Sequence, residues 1–382
     1  MAKIVEADVA PVDAFVAWLD ADRCVNAGQR HLNARPGTFL HHLQSEKHWV
    51  IADAIAYLAA RNSAQDWDAL IRHRFVMLTR LAYAKRDLDT ELGGRATVPG
   101  RFANQLLGDE GPNYVHELIS AAGHLMRGCP VEWLQERSGL GEFSCDVGTG
   151  RAVHVECKRL LSDAMQYVKD AVAAEIGDAI ADAVAQRNLS GTVLLKVGPN
   201  SVGKPRVLEA VRELSGALGA GDAVKAIADI EMTSALQEKR GEGMPSTQLV
   251  SASPDRYVLY ARSAGAALTI AIEGPQREEA WLDRKVIDVA AETAADSQLP
   301  EDRPGLVCLE IPFFAEAEYL DKLAVSTRTL FERPHVIGLI ATVRTVAHAA
   351  TWATVARSPA RIYVNPGTRF EPERDAWQAR WK

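Results

Sequence analysis

The chain has 382 residues, of which 47% are hydrophobic and 24% charged, so its length and composition indicate a globular protein of two or three domains. The formal charge of −7 excludes a protein held to nucleic acid by bulk positive charge, although an enzyme with a locally basic groove stays compatible with it. The five cysteines form no CxxC pair, which argues against a disulfide scaffold or a cysteine zinc module and fits a reducing cytosol. We find no signal peptide and no segment of roughly 18 apolar residues. We therefore expect a cytoplasmic protein that does not contact a membrane.

Apolar residues recur at helical spacing in the first part of the chain and predict three helices, at 12–19, 39–58 and 67–81. The glycines and proline of residues 86–101 break this pattern. We therefore predict an all-α N-terminal region over 1–95, which binds the substrate, a partner protein or a second copy of the chain. A second domain is predicted over 96–382, with an insertion at about 199–275.

Helices and strands alternate from residue 112 onward, which predicts the α/β class. One helix is expected over 113–125, and a second, long amphipathic helix begins at Leu161. Helical stretches are expected within 205–237. Strands are predicted by alternating or continuous apolar runs, at 143–147, 153–157, 192–197, 257–260, 268–272, 306–311, 336–343 and 361–364. Two further helices and a short tail helix complete the pattern, at 278–297, 316–331 and after 364.

The first strand pair carries the residues most suited to chemistry. Asp146 is followed after nine residues by Glu156-Cys157-Lys158. Residues two apart share one face of a strand, so Glu156, Lys158 and His154 lie side by side. Burying such ionisable groups is costly unless they are used. A divalent cation would neutralise the two carboxylates, and oxygen ligands suit Mg²⁺ or Mn²⁺.

This arrangement resembles the PD-(D/E)XK nuclease superfamily over residues 112–198. The matching residues are Glu117 in the helix, Asp146 in the next strand, and Glu156 and Lys158 in the strand after it. The resemblance implies a restriction-endonuclease-like mixed sheet flanked by helices. It also implies Mg²⁺-dependent hydrolysis of phosphodiester bonds in nucleic acid, DNA rather than RNA, in defence or repair. One departure is Cys145, which stands where the superfamily pattern has proline.

The resemblance also assigns roles to these residues. Asp146 and Glu156 would ligate the metal, Lys158 would act on the attacking water or the phosphate, and Glu117 would hold a second ion or a metal-bound water. Phosphate contacts are implied for three residues that follow the triplet, Arg159, Gln166 and Lys169, and a solvated helix face is the alternative for Gln166 and Lys169. A tight, flat hairpin would separate Asp146 from Glu156 by roughly 10 Å. A bulge or a strong twist is therefore required to bring them to one ion.

Two stretches without acidic residues carry several arginines and lysines, between Asp68 and Asp87 and between Glu332 and Glu371. They could contact phosphates, or they could form buried arginine pairs and helix-end charges.

Two alternatives to a nuclease stay open. The first is a catalytically inactive protein of the nuclease fold that serves in binding or assembly. The second is a P-loop NTPase, because Gly198–Lys204 follows a strand with the spacing of that motif. Pro205 stands where the motif requires serine or threonine, which disfavours the NTPase. The crowded histidines His41, His42 and His48 contain no HExxH pattern, and we interpret them as surface or packing residues.

Overall fold

The chain folds into two compact units. The first comprises Met1–His31, His48–Leu160 and Asp283–Lys382, and the second comprises Leu32–Lys47 and Leu161–Leu282. The structure is a computed structural model that describes residues 9–61, 75–91, 94–134, 141–160, 168–199, 204–238, 246–253, 256–263, 266–275, 286, 288–289, 295–296, 298–311, 327–343 and 360–381. None of the helices in these ranges is both long and apolar enough to cross a membrane.

The first unit contains a group of N-terminal helices and one sheet. Its helices are α1 (Val9–Leu19), α2 (Ala21–His31), α4 (Trp49–Arg61), α5 (Val76–Asp89), α6 (Arg101–Leu106), α7 (Gly111–Leu125) and α10 (Glu371–Trp381). Helix α1 packs on α5, α2 packs on α4, and α5 packs on α7. Large apolar side chains such as Phe15, Leu78 and Phe102 are almost completely buried between them. Helices α1, α2, α4 and α5 of the predicted helical region therefore belong to the same unit as this sheet, whereas residues 32–47 belong to the second unit.

The sheet of the first unit has six strands, namely β1 (Val131–Trp133), β2 (Phe143–Asp146), β3 (Ala152–Arg159), β10 (Gly305–Ile311), β11 (Val336–Val343) and β12 (Ala360–Val364). They lie side by side in the order β1-β2-β3-β10-β11-β12. The pairs β3–β10 and β10–β11 are parallel, and the other pairs are antiparallel. Helix α7 packs against β3, and α10 packs against β11 and β12.

The parallel strands read as nearly continuous apolar runs because both of their faces are covered. In β10, Leu306, Val307 and Leu309 are fully buried. In β11, a Cβ atom at Gly338 would lie 2.6 Å from the ring of Trp377. The absence of a side chain at Gly338 therefore lets the fully buried Trp377 of α10 pack onto the sheet.

The second unit is built on another six-stranded sheet. Its strands are β4 (Leu189–Val197), β5 (Gly221–Ile227), β6 (Ile230–Glu238), β7 (Ser246–Ser253), β8 (Arg256–Ser263) and β9 (Ala266–Glu273), in the order β5-β6-β4-β9-β8-β7. Only the pair β4–β9 is parallel. The described residues of this unit also form α3 (Phe39–Lys47), α8 (Asp170–Gln186) and α9 (Lys204–Gly216). The Asp178 carboxylate accepts hydrogen bonds from the backbone N–H groups of Phe39 and Leu40 at 2.7 and 3.2 Å, which holds the start of α3 on α8.

The α/β class is confirmed, with two mixed sheets, and residues 112–198, which the resemblance covers, are divided between the two sheets. Strand β4 does not follow β3 in the first sheet, because β10 pairs with β3 there. The segment that separates the two halves of the first unit runs from 161 to 282, longer than the insertion predicted at 199–275. The helical stretches predicted within 205–237 end at Gly216, and a hairpin of β5 and β6 follows. In the turn between them, Ala228 takes a left-handed conformation, with a φ of +54°. Glycine or asparagine usually occupies such a position, so an alanine there does not indicate a hairpin in the sequence.

Candidate functional site

Strand β3 brings Glu156 and Lys158 together on one face, as its two-residue period predicts. The Lys158 Nζ atom lies 2.7 Å from Glu156 Oε1 and donates a hydrogen bond of 2.6 Å to Gln298 Oε1. Glu156 is only 1% exposed, whereas the side chain of Lys158 is 20% exposed. The lysine therefore stands at the rim of the site, and the carboxylate lies beneath it.

The pKa of the Glu156 carboxyl group is close to neutral pH. Burial raises its pKa to about 7, although the nearby Lys158 ammonium opposes this shift. The negative charge of Glu142 is a smaller contribution to the same upward shift in pKa. A carboxyl group in this state binds a proton or a cation readily, since either one removes the cost of a buried negative charge.

Glu142 is a functional candidate that the sequence pattern did not indicate. It directly precedes β2, and its backbone N–H donates a hydrogen bond of 2.8 Å to the Val155 carbonyl oxygen, beside Glu156. The residue before it, Gly141, has a φ of +90°, and a Cβ atom there would lie 2.7 Å from the same carbonyl oxygen. Only glycine fits this close approach, so Gly141 is what lets Glu142 enter the site.

Glu117 approaches the same region from helix α7. Its side chain is buried in the helix that packs against β3. The pKa of the neighbouring Cys157 thiol is raised well above its ordinary value, first by burial and a hydrogen bond with Cys308, and then by the charges of Cys308, Glu117 and Glu142. Both glutamates therefore lie close to Cys157, the residue between Glu156 and Lys158. Cys157 projects to the opposite face of β3 from Glu156, so the closeness of Glu117 to Cys157 does not by itself bring the Glu117 carboxylate to Glu156, whereas Glu142 acts on both residues.

The structure does not bring Asp146 to Glu156. Asp146 pairs with Ala152, at the opposite end of the hairpin, in a register without a bulge between 143 and 146. Four residues separate Ala152 from Glu156, which corresponds to about 13 Å along the strand. The exposed Asp146 carboxylate accepts a hydrogen bond of 2.7 Å from the Gly148 N–H and so stabilises the turn. The geometry therefore favours Glu142, and not Asp146, as the carboxylate that joins Glu156.

Arg159 projects away from the Lys158 face and enters a separate ion pair. Its Nε atom donates to Glu310 Oε1 at 2.5 Å, and its side chain is 6% exposed. His116 of α7 lies next to the same pair, with its Nδ1 atom 4.0 Å from Glu310 Oε2. The guanidinium is thus engaged within the protein. Gln166 lies outside the described residues, and Lys169 is an exposed residue at the start of α8 in the second unit.

The two acid-free basic stretches supply few exposed cations in the part of the chain that is described. Desolvation lowers the pKa of Arg80, which is half-buried close to Glu310. Lys85 forms an ion pair with Asp89, and Arg333 contacts both carboxylate oxygens of Asp296. These cations therefore interact with carboxylates of the same chain, which favours the alternative to phosphate contacts. Four further arginines of the two stretches lie outside the described residues, at 72, 74, 344 and 357.

The P-loop-like segment cannot be compared with its motif, because residues 200–203 lie outside the described residues. At its start, the Gly198 N–H donates to the Asp229 carbonyl oxygen at 2.8 Å, so this glycine packs against the β5–β6 turn. The NTPase hypothesis stays a prediction.

The donors around β3 fit a hard divalent cation. Three carboxylates with one lysine leave an excess of negative charge, and carboxylate oxygens are the ligands that Mg²⁺ and Mn²⁺ prefer. The pKa of Glu156 is raised chiefly by its burial, and the negative charge of Glu142 adds to the shift. The oxygens of the three groups are not gathered within 4.8 Å of one another among the described residues. The structure therefore does not place all three carboxylates as ligands of one ion.

Comparisons with known proteins identify no relative: no family model, no curated protein and no solved structure matches the chain.

Proposed function

We propose that the protein is a metal-dependent nuclease that hydrolyses phosphodiester bonds, with a restriction-endonuclease-like first unit. The observation that carries this proposal is the buried Glu156 with its pKa near 7, paired with Lys158 on β3 and approached by Glu142. The proposal is supported by the first sheet, which is mixed and has helices α7 and α10 packed against it, since the resemblance implies a mixed sheet flanked by helices.

Each side chain has a role in this proposal. Glu142 and Glu156 would hold Mg²⁺ or Mn²⁺, and Glu117 would hold a second ion or a metal-bound water. A cation held by these residues would polarise a phosphate and would make water a nucleophile near neutral pH. Lys158, fixed by Gln298 and Glu156, would orient the attacking water or stabilise the negative charge that develops on the phosphate.

DNA is the substrate that the resemblance favours over RNA, and defence or repair is the biological setting that it suggests. Arg303, which is exposed, is a cation available to the phosphate backbone near this face. Its Nη1 atom lies 3.3 Å from Nε2 of the buried His154, two residues before Glu156. Self-association or partner binding through the N-terminal helices stays a prediction of the sequence.

The test is cleavage by the full-length protein of plasmid, linear and single-stranded DNA and of RNA, in Mg²⁺, Mn²⁺ or EDTA. We expect metal-dependent cutting that falls about 10²–10³-fold in Lys158→Ala and Glu156→Gln. Glu132→Gln, an exposed glutamate of β1, is the matched control and should retain activity. Circular dichroism establishes that each variant is folded. Cutting in EDTA, or cutting that survives Lys158→Ala, would refute the proposed mechanism.

A catalytically inactive nuclease-fold protein for binding or assembly is the second candidate. It is favoured by the separation of the three carboxylates, which are not gathered as ligands of one ion. The same experiment distinguishes the two candidates. The second predicts no cutting of any substrate and no Mg²⁺ binding that depends on Glu156.

A further inference from the structure

Two histidines and an aspartate meet in the first unit, away from strand β3. His31 is the last residue of α2, His48 directly precedes α4, and Asp109 lies in the turn before α7. The two imidazole rings are stacked, with centroids 4.4 Å apart and an angle of 27° between their planes. The Asp109 Oδ1 atom lies 3.6 Å from His31 Nδ1 and 3.8 Å from His48 Nε2.

These distances fit ligands around a shared centre better than hydrogen bonds. An N–H···O hydrogen bond has a donor–acceptor distance of about 2.7–3.2 Å, shorter than both separations. Ligand atoms in a tetrahedral zinc site, with bonds of about 2.0–2.1 Å, lie about 3.3 Å from one another. Two of the three separations therefore exceed the ligand spacing by only a few tenths of an ångström, and one donor atom from each residue lies within 4.8 Å of the others.

We propose that His31, His48 and Asp109 bind a divalent transition-metal ion, with Zn²⁺ as the principal candidate. Imidazole nitrogens with one carboxylate suit zinc, whereas Mg²⁺ prefers oxygen ligands alone. The site is chemically distinct from the acidic group around β3 and does not depend on the nuclease proposal. Among the described residues it is the only group of three such side chains whose donor atoms are gathered this closely.

The position of the site indicates what the ion would do. It would join the end of α2, the start of α4 and the turn that leads into α7, the helix that carries Glu117. Asp109 is 72% exposed, while His48 is 6% exposed, so the ion would lie at the surface with one coordination position open to water. Bound zinc would therefore stabilise the helical part of the first unit, since a ligand that binds only the folded state raises its stability.

The experiment uses the full-length protein, without a histidine tag, after removal of metals with EDTA. Zn²⁺ binding is measured by calorimetry, and Co²⁺ serves as a visible probe of tetrahedral nitrogen and oxygen ligation. We expect one Zn²⁺ per chain at this site and a rise in the thermal unfolding temperature. His31→Gln and Asp109→Asn, which change exposed or partly exposed side chains, should each weaken binding at least tenfold. His41→Gln and Asp302→Asn are the matched controls and should bind as the unmodified protein does.

A further variant separates this site from the acidic one. Glu156→Gln should retain Zn²⁺ binding if the histidine site holds the ion. The proposal is overturned if the unmodified protein binds no Zn²⁺, or if His31→Gln and Asp109→Asn bind it with unchanged affinity. Loss of zinc in Glu156→Gln alone would place the ion at β3 and would equally overturn the proposal.

Discussion

Replacing Glu156 by glutamine should change how the stability of the metal-free protein depends on pH. The folded protein raises the pKa of this carboxyl group from 4.5 to about 7. Between these values the folded state retains a proton that the unfolded chain releases. The contribution of Glu156 is therefore most favourable at low pH and is lost as pH rises toward 7, above which the buried charge carries its full cost.

The size of the effect follows from the gap between the two pKa values. About 1.4 kcal/mol for each pH unit of difference gives about 3 kcal/mol in total. Glutamine retains the shape of the side chain but carries no charge. Between pH 5 and pH 8 the free energy of unfolding of Glu156→Gln should therefore rise relative to the unmodified protein by about that amount.

Urea denaturation in EDTA at several pH values measures this difference. Tryptophan fluorescence is a suitable signal, because the tryptophans among the described residues, Trp18, Trp49, Trp133, Trp377 and Trp381, all lie in the first unit. Glu132→Gln makes the same chemical change at an exposed position of β1 and should follow the unmodified protein at every pH. If Glu156→Gln and the unmodified protein differ by the same amount at pH 5 and pH 8, the carboxyl group is not held near a pKa of 7 and our account of the site fails.

Three further results are expected. Mg²⁺ affinity, measured by calorimetry, should fall about tenfold for each pH unit below 7, because binding must displace the proton of Glu156; an affinity independent of pH would contradict this. Gly141→Ala should destabilise the first unit by about 1–3 kcal/mol in urea denaturation, while Gly100→Ala, which meets open space, should not. Arg159→Met should destabilise the protein by about 3 kcal/mol because it removes the largely buried ion pair with Glu310, and a neutral result would show that the pair is dispensable.

The local periodicity of the sequence predicted many elements well. The observed bounds of α7, β3, β10 and β11 differ from the predicted ones by only a few residues, because long apolar stripes and runs specify them. The hairpin of β5 and β6 was missed, since Ala228 takes the turn conformation usually signalled by glycine or asparagine.

Pairings between distant parts of the chain were harder to predict. No local pattern indicates that β10, and not β4, lies beside β3, because the second unit separates the partners in the sequence. The same limit applies to the proposed zinc site of His31, His48 and Asp109. Its residues are far apart in the sequence and become neighbours only in the fold.

The candidate site around β3 could be predicted from the sequence only in part. Glu156 and Lys158 could be identified because a strand places alternate residues on one face. The second carboxylate depends on the register of the hairpin, which spacing alone does not give. Asp146 satisfies the spacing but turns out to stabilise the hairpin turn, whereas Glu142 lies before the apolar alternation begins and is brought to Glu156 by the backbone.

A comparison of Glu142→Gln with Asp146→Asn tests the central claim most directly. Both substitutions remove one carboxylate from the same hairpin while retaining the shape of the side chain. We predict that Glu142→Gln lowers Mg²⁺-dependent cleavage of nucleic acid about 100-fold, as expected for a metal ligand, and that Asp146→Asn stays within about twofold of the unmodified protein. Loss of cleavage in Asp146→Asn with full activity in Glu142→Gln would contradict the site proposed around Glu142, Glu156 and Lys158.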